Sequence, residues 1–323
     1  MSELIKSAPV PAMPAPRARI GLVLAGGGAK GAYQVGVVEC LAREGVRLSA
    51  VAGASIGALN ASVVSATPTL AAAASRLAAV WDEVGRAAGG ASLGIADLLL
   101  ANPVTRPGFL EDLLRRHVDP AELSDGLPLW VSVYPSPPPP PGQPDVGWLR
   151  DAVLVDASMR AEWLHVNALP PQERHAALCA SAALPLIMPP RTVGGIRYRD
   201  GGIADNTPIR ALIANAACDL FIVVHLARGV LWDARDYAPG RILEIRPAES
   251  MQGAGPLGGV SAMLDFTSDR AATLRRQGYQ DAERVLAAIR EIITSANALR
   301  RSQDTMLQSL RLLVDEASRA DQQ

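Results

Sequence analysis

The sequence predicts an α/β fold, with a mainly parallel central sheet, crossover helices and a long C-terminal helical arm. Three observations carry that reading. Within the first 65 residues, strand, glycine turn and helix follow one another twice, the alternation of a parallel sheet with crossover connections. Residues 220–226 (LFIVVHL) are a continuous run rich in β-branched residues, as suits a strand buried on both faces. Residues 279–318 contain neither glycine nor proline and repeat in heptads.

Taken in order, residues 1–18 (MSELIKSAPVPAMPAPRA) are rich in proline and alanine and lack a signal peptide's apolar core, so they read as a disordered lead-in. Residues 19–25 read as a buried strand, followed at once by glycines and by a helical pattern over 30–43 that ends near Gly45. A second strand over 48–52 runs into Gly53-Ala54-Ser55-Ile56-Gly57, with a helix to about Ser65 and another over 69–84. Residues 85–94 read as a loose, glycine-rich stretch, with helical pieces at 95–100 and 109–117. Residues 129–134 are strand-like. Proline fixes φ and offers no N–H, so residues 135–144 (PSPPPPPGQP) read as a surface loop leading to a strand near 153–155. A helix over 174–183 stops at Leu184-Pro185, residues 197–198 lead into the turn Asp200-Gly201-Gly202, and strands at 220–226 and 242–245 finish the sheet. His165 falls in an irregular stretch.

The heptad positions run from Val285 to Ala317 with one polar break at Gln303. Two readings stand: an arm that makes a homo-oligomer, or a long helix lying on its own domain. The organisation expected is a lead-in (1–18), one large domain (19–283) and the heptad helix (284–323).

At 323 residues, 49% hydrophobic and 20% charged, the chain can fill a sizeable core. A net charge of −1 argues against nucleic acid as a partner, and no cationic stripe suits anionic lipid, so any membrane contact is expected to be hydrophobic and transient. Three widely spaced cysteines (Cys40, Cys179, Cys218) suggest neither a disulfide framework nor a metal site. The early apolar run is far shorter than the ~20 residues of a membrane span. The expected location is the cytoplasm, peripheral to membranes.

Chemistry concentrates in three glycine turns. The first, Gly26-Gly27-Gly28-Ala29-Lys30-Gly31, resembles a dinucleotide fingerprint, but the second strand (LSAVA) ends without the carboxylate that reading needs, and the Gly-Lys-Ser/Thr of a P-loop is absent. What remains is a loop of unpaired N–H groups at a helix N-terminus, able to hold a developing oxyanion. Lys30 is one of two lysines, with Lys6, in a chain that otherwise uses arginine, and it reads as support for that loop. The second turn is GxSxG between strand and helix, the setting of a nucleophile elbow with Ser55 exposed above the sheet. The third, Asp200-Gly201-Gly202, is either a plain turn or the source of a general base. An aspartate near its usual ~3.9 is a poor base at neutral pH; raising it by about three units costs about 4 kcal/mol, within reach of a dry apolar pocket. N–H groups at Gly201 and Gly202 would oppose that rise. Of the four histidines, His117 and His175 fall on polar helix surfaces, and His225, at the end of a buried strand, is the competitor for the base in a Ser-His-Asp esterase or thioesterase.

With GGGAKG at 26–31, GASIG at 53–57, ASAALPLIMPP at 180–190 and DGGIADNTPI at 200–209, the chain resembles the patatin-like phospholipase family over about residues 19–283. That resemblance implies a three-layer α/β/α domain and hydrolysis of acyl esters in phospholipids, lysophospholipids or neutral lipids. It implies a dyad without histidine: Ser55 as nucleophile, Asp200 as proton acceptor, and an oxyanion hole in the backbone of Gly26, Gly27, Gly28 and Lys30. Gly31, Gly53, Gly57, Gly201 and Gly202 support the three turns. No metal or organic cofactor is implied, and lysine stands where many members carry arginine. The proline-rich loop and the arm lie outside the shared core. A reading from a different class is an interaction scaffold on a dead sheet.

Overall fold

The computed structural model describes residues 18–89, 104, 106, 108–142, 145, 161–185, 187–228, 237, 240–253 and 258–320. Among them, eight strands form one sheet: β1 (Ile20–Leu24), β2 (Leu48–Ala54), β3 (Leu129–Pro135), β4 (Glu162–His165), β5 (Arg191–Val193), β6 (Ile196–Asp200), β7 (Leu220–Val224) and β8 (Ile242–Ile245), in spatial order β5-β6-β3-β2-β1-β7-β8 with β4 paired to β3. Pairing is parallel from β8 through β7, β1 and β2 to β3, and antiparallel where β4 and β6 share the far side of β3 and β5 joins β6.

Side chains alternate across the sheet with the period of two that a strand imposes. Leu22, Leu24, Val51, Val131, Val133, Ile222 and Val224 face one cluster, while Val23, Ala50, Ala52, Trp130, Phe221 and Val223 face the other. Both faces are therefore dry, as parallel sheets require. The larger cluster is covered by α1 (Ala32–Arg43), α2 (Ile56–Ser65), α3 (Leu70–Ala88), α4 (Phe109–His117), α5 (Pro120–Asp125) and α6 (Pro171–Ser181); α7 (Ile209–Asn215) closes the other side. The result is three layers, helix on sheet on helix.

Two further helices follow, α8 (Gly258–Leu264) and α9 (Ser268–Ala320). Helix α9 is continuous over 53 residues, beginning well before the heptads do. Its first turns cross α1 at backbone contact: a Cβ on Gly36 would stand 1.8 Å from the Arg275 carbonyl oxygen, and one on Gly278 1.9 Å from that of Tyr33. At the crossing, buried Asp281 accepts from the Tyr33 hydroxyl (3.0 Å) and the Ala248 N–H (3.1 Å).

The strands and turns around the three motifs fall where the sequence puts them, with three corrections. Residues 85–88 continue α3: Gly85 faces Ser268 of α9, where a side chain would collide at 2.6 Å. His165 lies on β4, stacked on Trp130 with ring centroids 4.5 Å apart. Strand β5 was not anticipated. The lead-in up to residue 17, the helix at 95–100 and the strand near 153–155 lie outside the described residues.

Candidate active site

Strand β2 delivers Ser55 at its C-terminal end. Ser55 has φ 54°, and it is the one non-glycine residue with positive φ among the described residues. Such a conformation costs on the order of 1–3 kcal/mol and persists because its surroundings enforce it. Gly53 and Gly57 allow the close approach: a Cβ on Gly53 would lie 2.4 Å from the Gly57 carbonyl oxygen, and one on Gly57 2.1 Å from that of Leu24. The Ser55 N–H donates to Ser181 Oγ (3.0 Å), and Ser181 donates on to the Ser132 carbonyl (2.7 Å), which pins the turn to β3.

Register brings Asp200 to the same place. Ala54 pairs with Ser132 on one side of β3, and Asp200 pairs with Val133 on the other. Two strand spacings are about 10 Å. The elbow tilts the hydroxyl back across that gap, so that Ser55 Oγ donates to Asp200 Oδ2 at 2.6 Å. Asp200 Oδ1 accepts from the Gly202 N–H at 2.7 Å, while Gly201 offers its carbonyl to the Ser132 hydroxyl (3.3 Å) instead. The carboxyl group is 1% exposed. Burial raises its pKa to about 7 against the opposing hydrogen bonds from Ser55 and Gly202. A base poised near neutrality is suited to take a hydroxyl proton.

The first turn folds as a short 3-10 helix, Gly28–Gly31, over this pair. Gly28 has φ +58°, and a Cβ there would meet the Met263 carbonyl oxygen at 2.2 Å, so only glycine fits under α8. The N–H groups of Gly27 and Gly28 have no protein acceptor among the described residues. The expectation that Gly26 and Lys30 also donate is corrected: the Gly26 N–H is spent on the Asn206 carbonyl (3.2 Å) and the Lys30 N–H on the Gly27 carbonyl (3.3 Å). The half-buried Lys30 ammonium lines the polar side of the site, its pKa lowered by burial and by Arg270.

Two asparagines absent from the sequence reading hold the turns together. Asn206 Nδ2 donates to the Gly26 carbonyl (3.3 Å), completing a reciprocal pair between first and third turns. Asn60 Nδ2 donates to Gln34 Oε1 (2.8 Å) and the Gly31 carbonyl (3.1 Å), while its Oδ1 accepts from Trp81 Nε1 (3.0 Å). Asn206 falls inside the DGGIADNTPI block, so its neighbourhood was signalled; Asn60 carried no signal beyond being polar on an apolar helix.

The histidines stand elsewhere. His225 Nε2 lies 3.0 Å from Glu244 Oε2, and burial, with Arg246 nearby, lowers its pKa to about 3. It lines the polar side of the site without a hydrogen bond to Ser55. His117 and His175 are partly buried and partnered, with Glu83 Oε2 (2.7 Å) and the Val118 carbonyl (2.8 Å), rather than solvated.

Ser55 stands where two cavities meet. One, of about 80 Å³, is walled by Leu59, Val63, Trp81, Phe109 and Leu113 among other apolar side chains, with Phe266 of the α8–α9 link also in its lining. The other is more polar, with Gly26, Gly27, Lys30, Asp200, Asn206 and Thr207. Phe109 is one of the apolar cavity's walls, whereas the apolar residues Leu93, Ile95, Leu98, Leu99 and Leu100 lie outside the described residues. Among the described residues, no group of three or more His, Cys, Asp or Glu comes together as a metal site, and no helix is long and apolar enough to cross a membrane.

A family model described as Patatin-like phospholipase matches residues 22–213. An uncharacterized NTE family protein of Mycobacterium tuberculosis is 29% identical over 242 residues, 70% of this chain and 57% of that protein. Lysophospholipase NTE1 of Mycosarcoma maydis is 25% identical over 211 residues, 63% of this chain but 9% of that much longer protein. The chain thus spans little more than half of the mycobacterial relative and a small part of the fungal one. Among solved structures, VipD from Legionella pneumophila superposes with a TM-score of 0.46 at 15% identity, covering 85% of this chain and 67% of that one.

Proposed function

The chain belongs to the patatin-like phospholipase family, and on that premise we propose that it is a lipid acyl hydrolase of the phospholipase A or lysophospholipase type, working through a Ser55–Asp200 dyad. The observation that carries the proposal is the 2.6 Å hydrogen bond from the Ser55 hydroxyl to a sealed carboxylate, at the mouth of an apolar cavity.

Asp200 takes the hydroxyl proton as Ser55 Oγ bonds to the ester carbonyl carbon. The carbonyl oxygen, now carrying the electron pair, is held by the Gly27 and Gly28 N–H groups, aided by the positive end of the turn before α1. As the tetrahedral centre collapses, the C–O bond to the alcohol breaks and Asp200 returns its proton to the departing oxygen. Water then attacks the acyl-enzyme with Asp200 again as base, releasing the fatty acid and restoring Ser55. In this pose the acyl chain enters the apolar cavity and the alcohol leaves through the polar one. The lipid is reached by transient contact with a membrane surface from the cytoplasmic side, with no cofactor or nucleic acid involved.

Mass spectrometry of products from a mixed lipid extract tests the reading. The expected result is release of fatty acid by the wild type and a loss on the order of 10⁵–10⁶-fold in Ser55→Ala. Equal release by the variant would overturn Ser55 as the nucleophile, and no lipid product from folded wild-type protein would favour the inert scaffold.

A further inference from the structure

We propose that His117 is the end-stop of the acyl cavity and limits the enzyme to acyl chains of about ten carbons; this rests on the lipid-hydrolase reading above. The apolar cavity follows one face of α2, where Ser55, Leu59 and Val63 line it at steps of four. Eight residues at 1.5 Å each give a run of about 12 Å from the nucleophile. An extended chain of C–C bonds near 1.5 Å fills that run with roughly ten carbons.

His117, the last residue of α4, also lines this cavity. A second, outer cleft lies beyond, lined by Arg76, Arg115, Arg116 and His175. Among the described residues, His117 is the one side chain that lines both spaces, so its imidazole is the partition between them. It is fixed there: Nε2 lies 2.7 Å from Glu83 Oε2, and Arg116 holds the other Glu83 oxygen. Arg76 also donates to the His117 carbonyl (3.3 Å). Hydrogen bonds from His117 and Arg116 keep Glu83 below its ordinary carboxylate range, so a charged carboxylate backs the stop.

The chemistry at this end reverses that of the walls. Each methylene buried along Leu59 and Val63 tightens binding about fourfold. A chain that reaches the imidazole gains nothing from the next methylene and has to break the His117–Glu83 hydrogen bond to go on. Removal of the ring joins the cavity to the outer cleft and gives a longer chain a way through.

The test has two arms. In the first, kcat/KM is measured on p-nitrophenyl esters from C4 to C16. In the second, saturated fatty acids from C6 to C18 displace a fluorescent fatty acid from Ser55→Ala protein, which needs no catalysis. Both arms are expected to peak near C10 and to fall at least tenfold by C16. His117→Ala should raise the C16 to C10 ratio at least tenfold, and Val63→Phe, filling the cavity short of its end, should move the optimum to shorter chains. A wild-type profile still rising at C16 overturns the end-stop, as does an unchanged ratio in His117→Ala or, should that variant not fold, an unmoved optimum in Val63→Phe. Length-limited binding without hydrolysis of any ester sinks the hydrolase reading and leaves the end-stop standing; vigorous hydrolysis without a length limit does the reverse.

Discussion

Asp200 carries two roles that conflict, and the conflict is measurable. Sealed at 1% exposure, its pKa is raised from 3.8 to about 7. In the unfolded chain the same group ionises near ~3.9. Between those values the folded state holds a proton that the unfolded state has lost. Stability therefore falls as pH rises from about 4 to about 7, and above that a charged carboxylate stays buried at a cost of about 4 kcal/mol. Asp200→Asn removes that cost. The variant should unfold at higher denaturant concentration than wild type at pH 8, with the gap closing towards pH 4, while its ester turnover collapses. Equal midpoints at pH 8 would mean that the carboxylate is not sealed. The residues of this site were legible in the sequence because each motif sits where strand gives way to helix or turn. The donor set was not: whether an N–H points at a substrate or at a neighbouring carbonyl depends on Asn206 and Gly27, whose contacts span 180 positions in one case and three in the other.

At the scale of elements, the site depends on how α1, α2 and α3 hold the glycine loop. Asn60, 2% exposed, is the joint between them, bonded to Gly31 in the loop, Gln34 on α1 and Trp81 on α3. Removal of its amide leaves the Trp81 N–H and Gln34 Oε1 buried without these partners, at about 1–3 kcal/mol each. Asn60→Ala should lose about 2–4 kcal/mol in chemical denaturation; a loss below about 0.5 kcal/mol would show that the network is dispensable. Strands β1, β2, β7 and β8 were readable because they are apolar and bounded by glycine or polar turns. Helix α3 was cut short in the reading because Gly85 looks like a breaker, whereas its missing side chain makes room for Ser268. Strands β4 and β5 have four and three residues, and β4 takes its place only by pairing with β3, which a local pattern does not record.

At the scale of the molecule, α9 is both buttress and arm. Its first turns form the wall behind α1 and end in ion pairs of Arg43 with Glu283 and of Arg290 with Glu44. At 1.5 Å per residue the whole helix is about 80 Å long, well beyond that contact. Met306, on the heptad seam, is 58% exposed and Leu307 beside it 51%. On the self-association reading of the heptads, that seam meets a second copy of this chain. A chain ending at residue 295 should keep its ester turnover within about twofold and sediment as a monomer where the full chain sediments as a dimer. A full-length monomer would leave the helix as a brace on its own domain, and a dimer of the truncated chain would place the interface elsewhere.

The claim on which all three scales depend is that Asp200, with no histidine, takes the proton from Ser55. The rate at which a fluorophosphonate modifies Ser55, followed by intact mass across pH 5 to 9 in wild type, Asp200→Asn and His225→Gln, tests it most directly. The wild-type rate should climb with pH through about 7, where the carboxylate loses its proton, fall at least about 10³-fold in Asp200→Asn, and stay near normal in His225→Gln. Wild-type rates in Asp200→Asn, with the pH dependence lost in His225→Gln instead, would contradict it.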